Sequence, residues 1–547
     1  MLNSKPLIIP NIIIMRSYKY LLLLLLPVAT IVSCKKSTFV DANINPSTLT
    51  SVDPGSQFLY GAQHFYSDFE GYYDFLRFEG PWMQLWTGGA GNGGSFNAPT
   101  ATADYRYGNF YGNVGLAMTD IPHLVEKMPA ADQAARVYEV AIASIAKAYY
   151  GFYVSDVNGS IPYSKAFLAR YGGTLTPTYD PQQQLFDSLD LQVKTAVATL
   201  EASQPVTQVL YGGNDPFFGS ASNQAMQWIK AGNALRLKMA MRLMKRDPTT
   251  LASIATSVLA DANQMSSVAD SWVLYAGPAF ALSTGNFNPT GFLAPQPVVN
   301  FMLAKGDPRL RIFYRPNNIG NYLGSPTDPD TCLDPYYVGL YKNSLDTFST
   351  LQHRMFTPNF DEGDGNGAGS GQFFLPVITY AEYCFIRAEL GARGITTDNA
   401  GNWYTAGVTA SIQFYSAMGK NAGISNFTVV APSEITAYLN MPGITFDPTK
   451  AVEQIACQAY LDFFRQPSEA WAWWKRTGFP NTTSVLAWSP LTFQGTPLPI
   501  PRRAALTVLS ADDANYANQA AAFADMEKDP GFGTPDNAFG RVWWDQQ

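Results

Sequence analysis

Charge is scarce in this chain. Of 547 residues only 14% are Asp, Glu, Lys or Arg, against roughly 25% in ordinary soluble proteins. The net charge is −7 and no basic stripe interrupts the sequence, which argues against nucleic acid or an anionic lipid surface as a partner. Histidine is scarcer still. His64, His123 and His353 stand far apart, and Cys34, Cys332, Cys384 and Cys457 form no CxxC or Cys/His cluster, so no zinc site is expected. Reactive signatures are missing as well: there is no GxSxG elbow, HExxH, Walker A loop or GxGxxG fingerprint. Two carboxylates for glycoside hydrolysis can lie far apart in sequence, and no spacing marks such a pair. The stretch FDEGDGNGAG (360–369) superficially resembles a calcium loop but lacks the alternating oxygen ligands and terminal Glu of an EF-hand. It reads as a flexible glycine-rich loop, with calcium the minor alternative, and no cofactor is expected.

Long apolar runs are also absent, save one that is too short. Residues 21–33, LLLLLLPVATIVS, number 13, whereas a bilayer core needs about 20 helical residues. The length suits the h-region of a secretory signal, and Arg16 and Lys19 supply its basic flank. Ile31-Val32-Ser33-Cys34 resembles a bacterial lipobox, in which the cysteine becomes acylated after cleavage. The expectation is a signal peptide over 1–33, lipidation at Cys34, a polar tether over 34–56 with Pro46 and Pro54, and one domain over 57–547. MLNSKPLIIPNIII does not look like part of a signal, so Met15 is the expected start of translation. With Cys34 assigned, three cysteines remain, and an odd number argues against a disulfide framework. Cys384 and Cys457 fall in apolar helical patterns and read as buried small hydrophobes.

What the chain does have is helical periodicity and aromatic rings. Val137, Ala141, Ile145, Ala148 and Phe152 make one apolar helix face. Asp180-Pro181 looks like an N-cap with proline at the first helical position, opening a helix to about 203. Trp228, Ala231, Leu235, Met239 and Leu243 make another face, followed by a helix near 249–264. Further helices are expected at about 376–393, 401–419 and 449–465, then SEAWAWWKR. Paired helices with short turns predict an all-α dominated fold, a solenoid of TPR-like helical hairpins with long irregular loops.

The irregular segments, 80–115 and 270–375, are where a ligand is expected. With 11 Trp, 30 Tyr and 34 Phe, rings to pack against sugar C–H faces are plentiful. Candidate ligand-binding residues are Trp82, Trp86, Asn92, Asn97 and Tyr105 in the first segment. In the second they are Trp272, Tyr275, Phe287, Tyr322, Tyr336 and Tyr337.

Several motifs together resemble the SusD/RagB nutrient-binding lipoproteins of the Bacteroidetes outer membrane. They are FVDANINPSTLTSVDPGSQFL after the tether, DVNGSIPYSKAF (156–167), TPTYDPQQQLFDSL (176–189), WIKAGNALRLKMAMRL (228–243) and GDPRLRIFY (306–314). FLPVITYAEYCFIRAELGARG (374–394), EQIACQAYLDFFRQPSEAWAWWKRTGFP (453–480) and IPRRA (500–504) complete the set. Lys35 and Lys36 depart from the acidic residues that some surface lipoproteins of this phylum carry after the cysteine. The resemblance implies a lipid-anchored protein of the cell outer membrane, facing outside, that is not an enzyme. It implies capture of an oligosaccharide or peptide for a SusC-like TonB-dependent transporter. The rival readings are a surface glycoside hydrolase and a TPR-like scaffold that binds protein alone. Most of the motif residues read as structural: Arg387 paired with a carboxylate where helices meet, Glu469 paired with Lys475 or Arg476, a buried Trp471, Trp473 and Trp474 cluster, and Arg502 and Arg503 bracing the C-terminal end.

Overall fold

Apolar residues at three- and four-residue spacing produce the long helices and decide which faces they bury. The computed structural model describes residues 52–88, 104–282, 289–343, 345–363 and 365–547. Cys34, the signal and the tether to residue 51, Asn92, Asn97 and Phe287 lie outside the described residues. Helix α1 (Pro54–Gln63) is followed by a π-helical segment (Glu70–Glu79). Then α2 (Tyr105–Asn109) runs through a second π-helical stretch (Phe110–Val114) into α3 (Gly115–Glu126). The hairpin helices come next: α4 (Val137–Asn158), α5 (Gln182–Glu201), α6 (Gln224–Met241) and α7 (Pro248–Leu259). After a long intervening region come α8 (Tyr380–Ala392), α9 (Ala400–Asn421), α10 (Ala451–Asp462), α11 (Pro467–Thr477) and α12 (Tyr516–Met526).

Neighbours in the chain pack on one another, α4 on α5, α5 on α6, α6 on α7, α8 on α9 and α10 on α11, while α6 also meets α8. This is the helical-hairpin solenoid the periodicity predicts. The expected stripe on α4 is buried at Ala141, Ile145, Ala148 and Phe152, but so are Ile142, Ala146, Tyr149 and Tyr150. A helix flanked by α3, α5 and α6 buries nearly all round rather than along one face. Each Ile or Phe removed from water there contributes about 1.5–3 kcal/mol. Gly159 ends α4 at φ 76°, and a Cβ at this position would meet Met526 Sδ at 2.7 Å, so glycine is required for both conformation and space.

Several local expectations change. Pro181 itself occupies the N-cap of α5. The Asp180 carboxylate instead accepts the amides of Tyr163 and Ser164 at 2.8 Å each, holding the 160–180 connection. Helix α7 stops at Leu259 rather than near 264. Its start follows the usual chemistry, since Asp247 caps Thr250 N–H at 2.9 Å and Pro248 needs no donor. The helix expected from 376 begins only at Tyr380, because Phe373–Ile378 is a fully buried strand that turns into α8 at the Thr379 cap. Its β-branched and aromatic residues suit a strand buried on both faces.

The region 270–375 is less irregular than its composition suggests. Six short strands tie it to the rest: β1 (Thr87–Gly88), β2 (Trp272–Ala276), β3 (Phe292–Leu293), β4 (Tyr314–Arg315), β5 (Thr350–Leu351) and β6 (Phe373–Ile378). β2 pairs antiparallel with β6, Tyr275 opposite Phe374. The other four form a sheet in the order β1-β3-β5-β4. The pairing of Thr87 with Leu293 joins the two segments in which a ligand is expected.

Inside, an ion network crosses the helices. Arg242, which caps the C-terminal end of α6, reaches Asp156 on α4 at 2.8 Å and Glu469 on α11 at 2.9 Å. Lys238 bridges Glu382 and Glu469 at 3.0 Å each. Glu469 therefore pairs with α6 and not with Lys475 or Arg476, and Arg476 pairs with Glu389. Arg387 does pair as expected, with Asp398 in the α8–α9 turn, its Nε donating at 2.7 Å. Trp471 and Trp473 are buried and Trp474 is half-buried. Arg502 grips Asp545 at 2.6 Å and Arg503 donates to the carbonyls of Thr534 and Pro535. Both brace the C-terminal end. Cys332, Cys384 and Cys457 are buried thiols, and burial pushes the latter two up to about 12.

Candidate aromatic binding surface

The tryptophans expected at the ligand are core residues. Trp86 has no exposed surface, and its indole N–H donates to Leu76 O at 2.8 Å. Gly80 makes room for it, since a Cβ there would fall 2.0 Å from the indole ring. The cavity Trp86 borders holds only about 20 Å³, space for a water and not for a sugar. Trp272 is equally sealed, edge-on to Trp228 at 4.9 Å and Phe217 at 5.7 Å. Trp82 is 4% exposed. These three offer no ring face from outside.

Tyr105 is different. It is 40% exposed at the start of α2, and two residues from the preceding π-helical turn join it. Phe69, 55% exposed, lies 5.8 Å away at an interplanar angle of 18°. Tyr73 lies 5.3 Å away at 17°, and Phe69 to Tyr73 is 6.3 Å at 11°. The three centroids form a triangle of near-parallel, offset rings rather than a face-to-face pile, the favoured arrangement for aromatic groups. Tyr72 stands edge-on to Tyr73 at 5.0 Å and meets Phe292 of β3 at 6.5 Å, which brings the second segment to the edge of the platform. The loop before it is tied in by Asp68, which accepts Leu282 N–H at 2.9 Å.

The other expected residues do not join this group. Tyr275 is half-buried on β2. Tyr322 is half-buried near Arg311. Tyr336 is 66% exposed and packs edge-on to Tyr337 at 5.1 Å. Among the described residues none of them contacts the ring of Tyr105. Phe69 and Tyr73 are not among the residues the sequence singles out, although their four-residue spacing within FEGYYDFLRF is a visible signal.

A buried polar layer holds the platform. Residues adjacent to the exposed rings point inward: Glu70 follows Phe69, and Arg106 follows Tyr105. Arg106 pairs with Glu79, donates to Ser468 Oγ at 3.0 Å, and lies 4.0 Å over the Tyr153 ring. Tyr105 N–H donates to Asp74 at 3.2 Å. Burial pushes Glu70 up to about 7 despite the nearby Arg106 and the Tyr153 hydroxyl, and burial raises Glu79 in the same way. π-Helical segments are rare and costly. Here the wider turn sets Phe69 and Tyr73 outward while Glu70, Asp74 and Glu79 stay buried.

No group of three His, Cys, Asp or Glu side chains is placed to hold a metal ion among the described residues. In the 360–369 loop, Glu362 is taken by Arg315 and by His353 Nδ1 at 3.2 Å. No described helix is long and apolar enough to cross a bilayer.

The family described as starch-binding and associating with the outer membrane, SusD-like, matches residues 67–499. No curated protein matches the chain. Among solved structures, a chitin-binding protein is 21% identical, covers 90% of this chain and 100% of its own, and superposes with a TM-score of 0.70. A SusD homologue from Bacteroides fragilis gives 21% identity, the same coverages and a TM-score of 0.68. A chitin-binding SusD homologue from Flavobacterium johnsoniae gives 19%, coverages of 90% and 98%, and 0.65.

Proposed function

Because the chain belongs to the SusD-like family of starch-binding proteins that associate with the outer membrane, we propose that it captures an oligosaccharide on the Phe69–Tyr73–Tyr105 platform. It then delivers that glycan to a SusC-like TonB-dependent transporter. The observation that carries this reading is the platform itself. Three near-parallel rings, two of them well exposed, sit where both ligand-candidate segments meet. Sugars present C–H faces that pack on such rings. The chitin-binding structures of the same fold favour a glycan over a peptide. Acylation at Cys34 would hold the domain at the membrane, and since one acyl chain anchors only marginally, stable attachment needs more than one. The protein binds and releases its ligand without cleaving it.

Two measurements test this. Calorimetry against starch- and chitin-derived oligosaccharides should show binding that Phe69→Ala and Tyr105→Ala weaken, with no new reducing ends on prolonged incubation. Binding unchanged in both variants would refute the platform, and accumulating reducing ends would favour a hydrolase. A mild-detergent pull-down from native outer membranes, with a C-terminal tag, should bring down a stoichiometric TonB-dependent barrel. Recovery of the lipoprotein alone would count against the transport role.

A further inference from the structure

The platform is one end of a longer seam. The segment 54–79 and the stretch 105–114 pack side by side in opposite directions, and three sets of contacts join them. At one end Phe69 and Tyr73 meet Tyr105. In the middle the Asn109 amide donates to the His64 carbonyl. At the other end the Tyr60 hydroxyl donates to Asn113 Oδ1 at 2.7 Å. One α turn and one wider π turn together take up about eight residues. Tyr105 and Asn113 therefore fall on the same side of this stretch, on the order of 11 Å apart along it. The exposed positions between them are Gly108 and Gly112, which carry no side chain to interrupt the path.

The far end carries the same kind of chemistry as the near one. Tyr60 is 45% exposed, and the bond from its hydroxyl to Asn113 fixes the ring in place. The His64 ring lies beside it, 4.4 Å between centroids. His64 Nδ1 sits 2.7 Å from the Tyr60 carbonyl oxygen. A carbonyl only accepts, so Nδ1 carries the proton, and in the neutral imidazole Nε2 is an acceptor. Among the described residues nothing bonds Nε2, which keeps solvent-accessible surface. Asn113 spends one amide hydrogen on Asn109 Oδ1 at 2.8 Å and keeps the other. A ring face with one acceptor and one donor beside it is the small-ligand pattern, apolar in the middle and polar at the rim.

We propose that Tyr60, His64 and Asn113 form a second subsite for the same ligand, and that this ligand is a linear oligosaccharide long enough to lie along the seam from Tyr105 to Tyr60. One sugar ring packs on the platform. Another packs on the Tyr60 ring, with one hydroxyl donating to His64 Nε2 and another accepting from the Asn113 amide. The separation exceeds a single sugar ring, so a monosaccharide cannot engage both ends. A chain that spans two linked sites binds more tightly than either site alone allows. The proposal rests on the platform reading of function and adds to it a length requirement and a second set of contacts.

The test uses the chain from residue 35 onward and calorimetry with starch- and chitin-derived oligosaccharides, each series running from disaccharide to hexasaccharide. In one of the series affinity should climb steeply with length. Tyr60→Ala should weaken the longest member roughly fivefold to tenfold and leave the shortest unchanged, which flattens the length dependence. His64→Phe keeps a ring, removes the acceptor and should cost the longest member about threefold. Tyr60→Phe keeps the ring without the Asn113 bond and should bind the longest member within about twofold of the parent, which shows that the seam survives substitution at this position. Phe69→Ala should weaken long and short members alike. If Tyr60→Ala leaves the longest member untouched while Phe69→Ala weakens it, the platform stands alone and the second subsite is refuted. If Phe69→Ala also changes nothing, or no member of either series binds, the platform reading itself fails and the second subsite with it.

Discussion

The Tyr153 hydroxyl donates to the Glu70 carboxylate at 2.5 Å, which ties α4 to the underside of the π-helical turn carrying Phe69 and Tyr73. Glu70 is fully buried there, and burial lifts it from 4.5 to about 7. A carboxyl whose folded pKa lies above its unfolded value binds its proton more tightly in the native state. Its contribution to stability is fully present below pH about 4.5 and is lost as pH rises through about 7. The shift corresponds to about 3 kcal/mol. Glu70→Gln keeps the shape and removes the titration. Urea unfolding at pH 5 and pH 8 should show a smaller drop in stability for the variant than for the parent. An identical drop in both would mean that Glu70 does not titrate in this range.

The platform and the core tryptophans should part company under mutation. Phe69→Ala and Tyr105→Ala remove exposed rings, so each should cost roughly fivefold to tenfold in oligosaccharide affinity with little change in melting temperature. Trp86→Ala removes a side chain with no exposed surface and should cost about 3–5 kcal/mol of stability. Thermal melts beside calorimetry separate the two kinds of loss. A ligand-specific defect in a fully stable Trp86→Ala protein would restore that tryptophan to the site.

How far the sequence carries depends on the range of the interaction. The hairpin helices are legible because their apolar spacing is local, and so is the Arg387–Asp398 pair, only 11 residues apart. Glu469 finds Arg242 from 227 residues away, and no local pattern distinguishes that partner from the nearer Lys475. The same limit applies to the rings. Trp86 and Tyr105 occur in equally polar, glycine-rich surroundings. What sends one inward is the space left by Gly80 and the sheet formed with residues two hundred positions away. Aromatic density in a loop selects both residues alike, and only the fold separates the exposed Tyr105 from the buried Trp86.

Lys475 is a second pH-sensitive group, of opposite sign. Its ammonium is buried with no hydrogen-bond partner, 4.3 Å from the Trp471 ring centre and 4.8 Å from that of Trp544. Burial lowers it from 10.5 to about 8. Here the unfolded state binds the proton more tightly, so the charged amine penalises the fold below pH about 8, and stability recovers as pH climbs toward 10.5. Contacts with the two indoles offset part of the penalty. Lys475→Met should therefore stabilise the protein at pH 7 by about 1–2 kcal/mol, with the advantage shrinking by pH 10. A destabilised variant at pH 7 would show that the cation–π contacts outweigh desolvation.

The Glu469 cluster sets the hardest case, because two cations share one carboxylate. Burial alone would raise Glu469, yet Arg242 and Lys238 hold it down to about 2, while burial and the neighbouring Glu469 push Glu382 up to about 8. The two acids take the strain of one site in opposite directions, as coupled groups do. Glu469→Gln leaves Arg242 with Asp156 and Lys238 with Glu382, and removes the charge that made Glu382 costly to ionise. Losing one partner of a buried pair costs about 3–5 kcal/mol, and ionisation of Glu382 should recover part of it. The variant should thus be destabilised most at low pH and least near neutrality. A parallel Glu382→Gln variant, which removes the group that compensates, should abolish that recovery in the double mutant. If the double mutant shows the same pH dependence as Glu469→Gln alone, the two carboxylates are not coupled through Lys238.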